Sequence, residues 1–229
     1  MTQEIVEGLK RVFELIVSGD PAVLDATLRS LYVSAMATLL AILWSLPLGL
    51  IIGNKDFLGK RAVKGLFNAL LGMPTVGLGL ILYLLLSKTG PFGILRLLYT
   101  PTAMILGEAL LITPIAVSFT TSAIESVDPE IKSLAKTLGA SESEASLAAM
   151  KEALPSVVLA IFASFNRAIS ELGIALMLGA NIPGLTRVLT TSIALETTKG
   201  NFELGISLTI ILFLIVFILS FVTNTIKRE

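Results

Sequence analysis

The sequence contains no cysteine and no histidine, and charged residues make up only 15% of its 229 positions. Without cysteine there are no disulfides and no thiol chemistry. The usual zinc, haem and Cys/His catalytic sites are excluded as well, which leaves only carboxylates as metal ligands, and we expect no metal site. The formal net charge is zero, so nothing favours a nucleic-acid partner.

The chain is rich in apolar residues, which make up 54% of the sequence, and its mean hydropathy is +0.88. Such a composition predicts an all-α, multi-pass membrane protein. At ~1.5 Å per residue, about five segments are long enough to cross a ~30 Å hydrocarbon core. We predict one transmembrane domain, 1–229, with spans at about 27–53, 65–87, 97–124, 153–180 and 204–226.

Residues 3–18 precede these spans and are not a signal peptide, because Glu4 and Glu7 occupy the region where a signal peptide is positive. Apolar residues recur there at helical spacing, opposite charged ones. This pattern predicts an amphipathic helix at the membrane interface, or against the other helices, that ends at Gly19-Asp20-Pro21.

The distribution of basic residues predicts the orientation of the chain in the membrane. The densest cluster is Lys55, Lys60, Arg61 and Lys64, in the loop after the first span. We therefore expect this side to be cytoplasmic, which places the N-terminus outside and the C-terminus inside.

The longest polar stretch, 128–152, is called the elbow below; it is predicted to form two short helices joined at a glycine. Asp128 suits the first N-cap, and Gly139 suits a left-handed C-terminal turn. Ser141 and Glu144 have the spacing of a capping box, and Pro155 is expected to mark the next boundary. The elbow is either a plain connector between two spans or a compact projection to which a cytoplasmic partner binds.

Ionisable residues at membrane depth are costly unless they are paired or hydrated. Arg167 and Glu171 are four residues apart, close enough to pair, and Asn166 and Ser170 extend the same polar surface. Either Arg167 and Glu171 neutralise each other as an ion pair packed between helices, or this face lines a translocation path or gate. Glu108 is a further candidate, equally compatible with a buried acid bonded to a neighbouring helix.

The segment 181–201, predicted to lie outside, is rich in hydroxyls around one arginine. Thr186, Arg187, Thr190 and Thr191 are hydrogen-bond donors that suit a tetrahedral oxyanion. Alternatively, this segment is a short re-entrant or capping piece that closes the outer mouth.

Two sets of motifs resemble a known family. Ser133-Leu-Ala-Lys-Thr-Leu-Gly-Ala-Ser141, followed by Leu154-Pro155, resembles the EAA loop of ABC importer permeases. From about Asp20 onward the chain is similar to the tungstate-type ABC permeases, a group close to the molybdate and sulfate permeases. The motifs that carry this likeness are Gly72-Met-Pro-Thr75, Gly90-Pro-Phe-Gly93, Asn166-Arg-Ala-Ile-Ser-Glu-Leu-Gly173, Leu178-Gly-Ala-Asn-Ile182, Thr186-Arg-Val-Leu-Thr-Thr191 and Leu195-Glu-Thr-Thr-Lys-Gly-Asn-Phe202.

The resemblance implies a type I importer permease in a prokaryotic cell membrane that carries an oxyanion, with tungstate as the first expectation and molybdate or sulfate as the alternative. It implies a homodimer, a separate subunit that binds ATP and Mg²⁺ and hydrolyses ATP, and an external substrate-binding protein. The chain itself would need no cofactor and catalyse no reaction. The residues expected to dock on the ATP-binding subunit are Ala135, Leu138, Gly139, Ala140 and Glu142.

Two other classes of function remain open on the sequence alone. A gradient-driven carrier often shows two similar halves, and no internal repeat is visible here. A membrane enzyme would need a clustered catalytic set, which the lack of histidine and cysteine disfavours. The segment Gly53 to Arg61 has one residue too many between its glycines for a Walker A motif and lacks the closing Ser/Thr.

Overall fold

The computed structural model describes residues 7–8, 11–12, 14–15 and 18–226. Within them the chain forms α-helices and one short 3-10 helix at Gly93–Leu95. The α-helices are α1 (Pro21–Asn54), α2 (Lys60–Leu70), α3 (Thr75–Leu86), α4 (Pro101–Glu125), α5 (Pro129–Thr137), α6 (Glu142–Ile169), α7 (Gly173–Gly179), α8 (Leu189–Thr198) and α9 (Phe202–Ile226).

Four of these helices, α1, α4, α6 and α9, are long and apolar enough to cross a membrane. The centre of the fold is α4, which packs along α1 and α6. Small residues let the backbones approach closely. A Cβ at Gly49 of α1 would lie 2.7 Å from the Thr120 side chain of α4, and one at Gly53 would lie 2.7 Å from Ile124. Pro47 and Pro114 lie inside continuous helices.

The predicted span 65–87 is not one continuous helix. The chain bends by 95° between α2 and α3, and the pair forms either a broken span or a re-entrant loop. Pro74 is the N-cap of α3; it disfavours helical backbone at Met73 and cannot donate the N–H that a continuous helix needs. The twelve residues of α3 extend only ~18 Å, less than the thickness of the hydrocarbon core.

Pro155 does not mark a helix boundary, contrary to the prediction. The second elbow helix and the following span form one helix, α6, that runs from Glu142 through Pro155 to Ile169. Proline frees the carbonyl four residues earlier, here that of Lys151. Both Lys151 and Pro155 are exposed, so solvent can satisfy the freed carbonyl and the helix continues.

The predicted span 153–180 is also divided, because α6 ends at Ile169 and α7 begins at Gly173. The break brings α7 against the start of α3. A Cβ at Gly173 would lie 2.7 Å from Thr75 Oγ1, so only glycine permits this approach. Beyond α7, the segment predicted as an outer loop contains a further helix, α8.

The predicted amphipathic helix at 3–18 lies partly outside the described residues. Those of its residues that the structure describes are helical; Glu7 and Arg11 are exposed, and Val12 is buried. Val12 packs in a cluster with Leu208 and Ile211 of α9. The N-terminal segment therefore lies against the last helix.

Candidate functional site

The caps and the glycine turn of the elbow have the local structure that the sequence predicts. The Asp128 side chain accepts a hydrogen bond from the Glu130 N–H (2.9 Å) and caps α5. After α5, Ala140 N–H donates to the Ala135 carbonyl and Gly139 N–H to the Lys136 carbonyl, both at 3.0 Å. Gly139 has φ +91°. This pair of bonds around a left-handed glycine is the Schellman turn.

The second half of the elbow is fixed by a capping box. Ser141 Oγ accepts from the Glu144 N–H (3.4 Å), and the Glu144 carboxylate accepts from the Ser141 N–H (2.8 Å). An ion pair of 2.5 Å joins Lys136 of α5 to Glu142 of α6. The angle between the two helices is therefore held by several independent contacts.

The surface of the elbow is exposed and partly apolar. No residue of α5 is buried, and the exposed fractions of Leu134 and Leu138 are 61% and 80%. Of the predicted docking residues, Leu138, Gly139 and Glu142 are exposed, and Ala135 and Ala140 are half-buried. Two projecting leucines on a rigid polar turn suit a protein partner more than solvent.

Polar contacts connect the elbow to the ends of the membrane helices. Lys132 Nζ donates to Asn54 Oδ1 at the end of α1 (3.1 Å). Lys60 and Lys64 of α2 pair with Glu125 at the end of α4, at 3.3 and 2.5 Å. These contacts gather the ends of α1, α2, α4 and α5, which we call the elbow end of the molecule.

The predicted pair of Arg167 and Glu171 is confirmed, at 2.7 Å. Glu171 is only 3% exposed, and its second carboxylate oxygen accepts from the Ile174 N–H (3.1 Å) in the first turn of α7. Its backbone carbonyl accepts from Thr190 Oγ1 of α8 (2.8 Å). Glu171 thus joins α6, α7 and α8, at the point where the predicted span is broken.

Asn166 and Ser170, predicted to share a polar surface with Arg167 and Glu171, form no side-chain hydrogen bond with that ion pair within residues 18–226. Asn166 Nδ2 donates to Ser220 Oγ of α9 (3.3 Å), and its buried Oδ1 has no hydrogen-bond partner among the described residues. Ser170 is exposed and is the C-cap of α6. The structure therefore places Asn166 against α9 and leaves Ser170 at the helix break.

Glu108 belongs to the same buried polar cluster. It is 2% exposed and accepts a hydrogen bond from Ser34 Oγ of α1 (3.4 Å). It also interacts electrostatically with Glu171 and Arg167. Two buried carboxylates and one guanidinium therefore lie together where α1, α4, α6 and α7 meet.

The oxyanion interpretation of the threonines in 181–201 is not supported by their contacts. Thr186 Oγ1 donates to the Gly179 carbonyl, Thr190 Oγ1 to that of Glu171, and Thr191 Oγ1 to that of Val188 (3.0 Å). All three side chains are buried. Their hydroxyl protons are engaged by the backbone, because the tight turns around α7 and α8 leave carbonyls that need donors.

Arg187 and Arg29 hold this segment in place. Arg187 Nε donates to Asn181 Oδ1 (3.2 Å). Arg29 of α1, which the sequence did not indicate, donates to the carbonyls of Leu185 (2.8 Å) and Gly184 (2.9 Å). The sequence around Arg29 shows only an acid, Asp25, four residues earlier. The role of Arg29 could not be predicted, because hydrogen bonds to distant backbone carbonyls leave no pattern in a sequence.

Comparison with known proteins identifies the family. The model of the family described as "Binding-protein-dependent transport system inner membrane component" matches residues 45–228. A tungstate uptake system permease protein of Peptoclostridium acidaminophilum is 37% identical over 98% of this chain and 99% of its own. A probable anion ABC transporter permease protein of Haloferax volcanii is 40% identical over 83% of this chain and 84% of its own.

A solved structure shows the same fold. The crystal structure of an amino acid ABC transporter with histidines matches at a TM-score of 0.69 and 17% identity, over 94% of this chain and 97% of the other. With the exposed elbow and the apolar helices, these matches establish a multi-pass, all-helical permease of the type I importer kind. The chain belongs to the family of binding-protein-dependent transport system inner membrane components.

Proposed function

We propose that this chain is the permease subunit of an ATP-driven importer of tungstate. The near-full-length similarity to a tungstate uptake permease supports the substrate. The same similarity group contains molybdate/tungstate permeases, one of them 29% identical over 74% of this chain, which makes molybdate the second candidate and sulfate a more distant one.

The exposed elbow is the observation that supports coupling to ATP. Its projecting leucines, Leu134 and Leu138, contact an ATP-binding subunit, which binds ATP and Mg²⁺ and hydrolyses ATP. Ala135, Gly139, Ala140 and Glu142 complete this surface. The elbow end then faces the cytoplasm, as the cluster around Lys60 also indicates, and a substrate-binding protein docks at the opposite end.

The transport path lies between two copies of the chain. A single copy has few polar groups along its helices, so a two-fold dimer with the path at the interface is the simplest arrangement. Movement of the elbow passes along α6 to the cluster of Glu108, Arg167 and Glu171. Opening and closing there switches access between the two sides, and the segment 181–201, with Thr186, Arg187, Thr190 and Thr191, acts as the outer gate.

ATPase activity in lipid tests this proposal. The chain is co-purified with its ATP-binding subunit, and the binding protein is added loaded with tungstate, molybdate or sulfate. We expect the tungstate-loaded protein to stimulate hydrolysis most. Equal activity with the empty and loaded forms would count against ATP-driven import and favour a gradient-driven carrier.

A further inference from the structure

A cavity of 1280 Å³ lies at the end of the molecule opposite the elbow, between the end of α3 and the segment 87–100. Its lining includes two basic residues, Lys88 and Arg96, and several hydroxyl-bearing ones, among them Tyr83, Thr89 and Tyr99. None of these five residues belongs to the elbow or to the cluster around Glu171.

The two cations of the cavity lack carboxylate partners. Neither Lys88 nor Arg96 forms an ion pair within the part of the chain that the structure describes, and the sequence has no Asp or Glu between positions 57 and 107. Two other cations at this end do have carboxylate partners: Arg29 pairs with Asp25 at 2.6 Å and Lys199 with Glu196 at 2.9 Å. The cavity therefore has a positive charge that the described chain does not neutralise.

Hydroxyl groups complete the donor set of the cavity. Tyr99 Oη lies 3.4 Å from Tyr83 Oη, so the two phenols present their polar ends together. Thr89 Oγ1 lies 3.4 Å from Ser87 Oγ, which itself donates to the Leu84 carbonyl (2.9 Å). Guanidinium, ammonium and hydroxyl donors around one space are the chemistry that recognises a tetrahedral oxyanion.

The wall of the cavity is rigid and locally strained. A Cβ at Gly90 would overlap the Leu84 carbonyl oxygen, and one at Gly93 would overlap that of Ser87, so the loop folds tightly onto α3. Arg96 and Tyr99 have φ of +50° and +64°, a region that residues with a Cβ rarely adopt. Backbone strain of this kind is concentrated at ligand sites, where the surrounding structure enforces it.

Tyr99 also connects the cavity to the rest of the fold. Its N–H donates to the Leu178 carbonyl at the end of α7 (2.8 Å), and α7 begins at the turn that Glu171 caps. The cavity wall is thus one short helix away from the buried cluster. An anion held there would be close to the path without occupying it.

We propose that this cavity binds one tetrahedral oxyanion of the transported class, free in solution, through Lys88, Arg96, Thr89 and the Tyr83–Tyr99 pair. It receives the anion outside the membrane before the anion enters the path. This proposal rests on the proposed import function. It assigns to the chain a substrate contact of its own, separate from the binding protein.

Direct binding of tungstate tests the site. The permease with its ATP-binding subunit, in lipid nanodiscs and without ATP or binding protein, is dialysed against tungstate, and bound tungsten is measured by mass spectrometry. Each charge-assisted hydrogen bond contributes roughly ten-fold to affinity, so the double variant Lys88→Gln/Arg96→Gln should weaken binding by roughly ten- to a hundred-fold. Lys199→Gln, which removes a paired cation at the same end, is the matched control and should change the dissociation constant less than about two-fold.

A second variant distinguishes loss of the binding site from misfolding of the protein. Tyr83→Phe/Tyr99→Phe keeps both rings and removes only the hydroxyls, and should weaken binding several-fold. No measurable binding by the unaltered complex, or equal weakening in the Lys199→Gln control, would overturn the site. So would retention of phosphatidylglycerol that depends on Lys88 and Arg96 without tungstate binding, because the anion would then be a lipid headgroup.

The same preparations separate this site from the import function. Stimulation of ATPase activity by the tungstate-loaded binding protein, without direct binding of tungstate to the permease, would remove the cavity site and leave the importer in place. Direct binding that depends on Lys88 and Arg96, without such stimulation, would keep the site and remove the proposed import function.

Discussion

Replacing Gly139 by alanine tests the coupling role of the elbow. Gly139 has φ +91°, and a Cβ there would meet nothing within 4 Å. The substitution therefore acts through backbone strain alone, which costs about 1–2 kcal/mol for a left-handed residue with a Cβ. That energy shifts the equilibrium between the present turn and an altered one by a factor of about 5–30. We expect a several-fold loss of ATPase activity stimulated by the loaded binding protein, with normal insertion of the permease in the membrane.

Gly59 provides a matched control for this experiment. It also lies at the elbow end, has φ +93° and has open space where a Cβ would lie, but it belongs to the loop before α2. Gly59→Ala introduces the same strain outside the elbow and should leave the stimulated activity near normal. Asparagine tolerates the left-handed region better than alanine, so Gly139→Asn should retain more activity than Gly139→Ala. Unchanged activity in Gly139→Ala, or an equal loss in Gly59→Ala, would refute the reasoning.

Three further predictions concern the buried cluster, the core and the α8–α9 turn. Arg167→Gln leaves the buried Glu171 without its cation. We expect uptake of the anion to fall more than the amount of assembled complex. Normal uptake would show that the ion pair serves only the packing of the helices. Gly107→Ala places a Cβ 2.6 Å from a side chain of α7 and should lower stability by about 1–3 kcal/mol, measured as a lower melting temperature in detergent. The hydrogen bond from Lys199 lowers the pKa of Glu196. The stabilisation of the fold by this bond is therefore present above the unfolded pKa of ~4.3 and is lost as the pH falls through the lower folded pKa. Glu196→Gln should flatten that part of the plot of melting temperature against pH, and an unchanged plot would show that the bond does not stabilise the fold.

Features governed by neighbouring residues could be predicted from the sequence. The caps at Asp128 and Ser141 and the left-handed turn at Gly139 depend on contacts within a few positions, so each is visible as a short pattern. The pair of Arg167 and Glu171 follows from a spacing of four. The membrane class follows from composition and from apolar runs long enough to cross the hydrocarbon core, both of which are visible without the fold.

Features governed by tertiary contact could not be predicted. The break before α3 lies in apolar, membrane-like sequence, where hydropathy does not distinguish a straight helix from a bent one. The break at Ser170 lies beside Arg167 and Glu171, whose spacing of four is equally compatible with a continuous helix. Proline is an ambiguous signal: Pro74 is the N-cap of a helix, whereas Pro155 lies inside one, at an exposed position. The threonines of 181–201 were candidates for ligand binding on composition alone, and only the fold shows that backbone carbonyls use their hydroxyls.

The continuity of α6 has a mechanical consequence. Its 28 residues form a rod about 42 Å long, with the capping box of the elbow at one end and Arg167 near the other. A tilt of about 5° around the elbow would displace the far end by about 4 Å, roughly two thirds of the ~5.4 Å rise of one helical turn. Such a lever needs no hinge along its length, so the displacement has to be absorbed where the rod stops, at Ser170 and Glu171. The buried carboxylate of Glu171, which accepts a hydrogen bond from the first turn of α7, would then lie at the point about which α6 moves relative to α7.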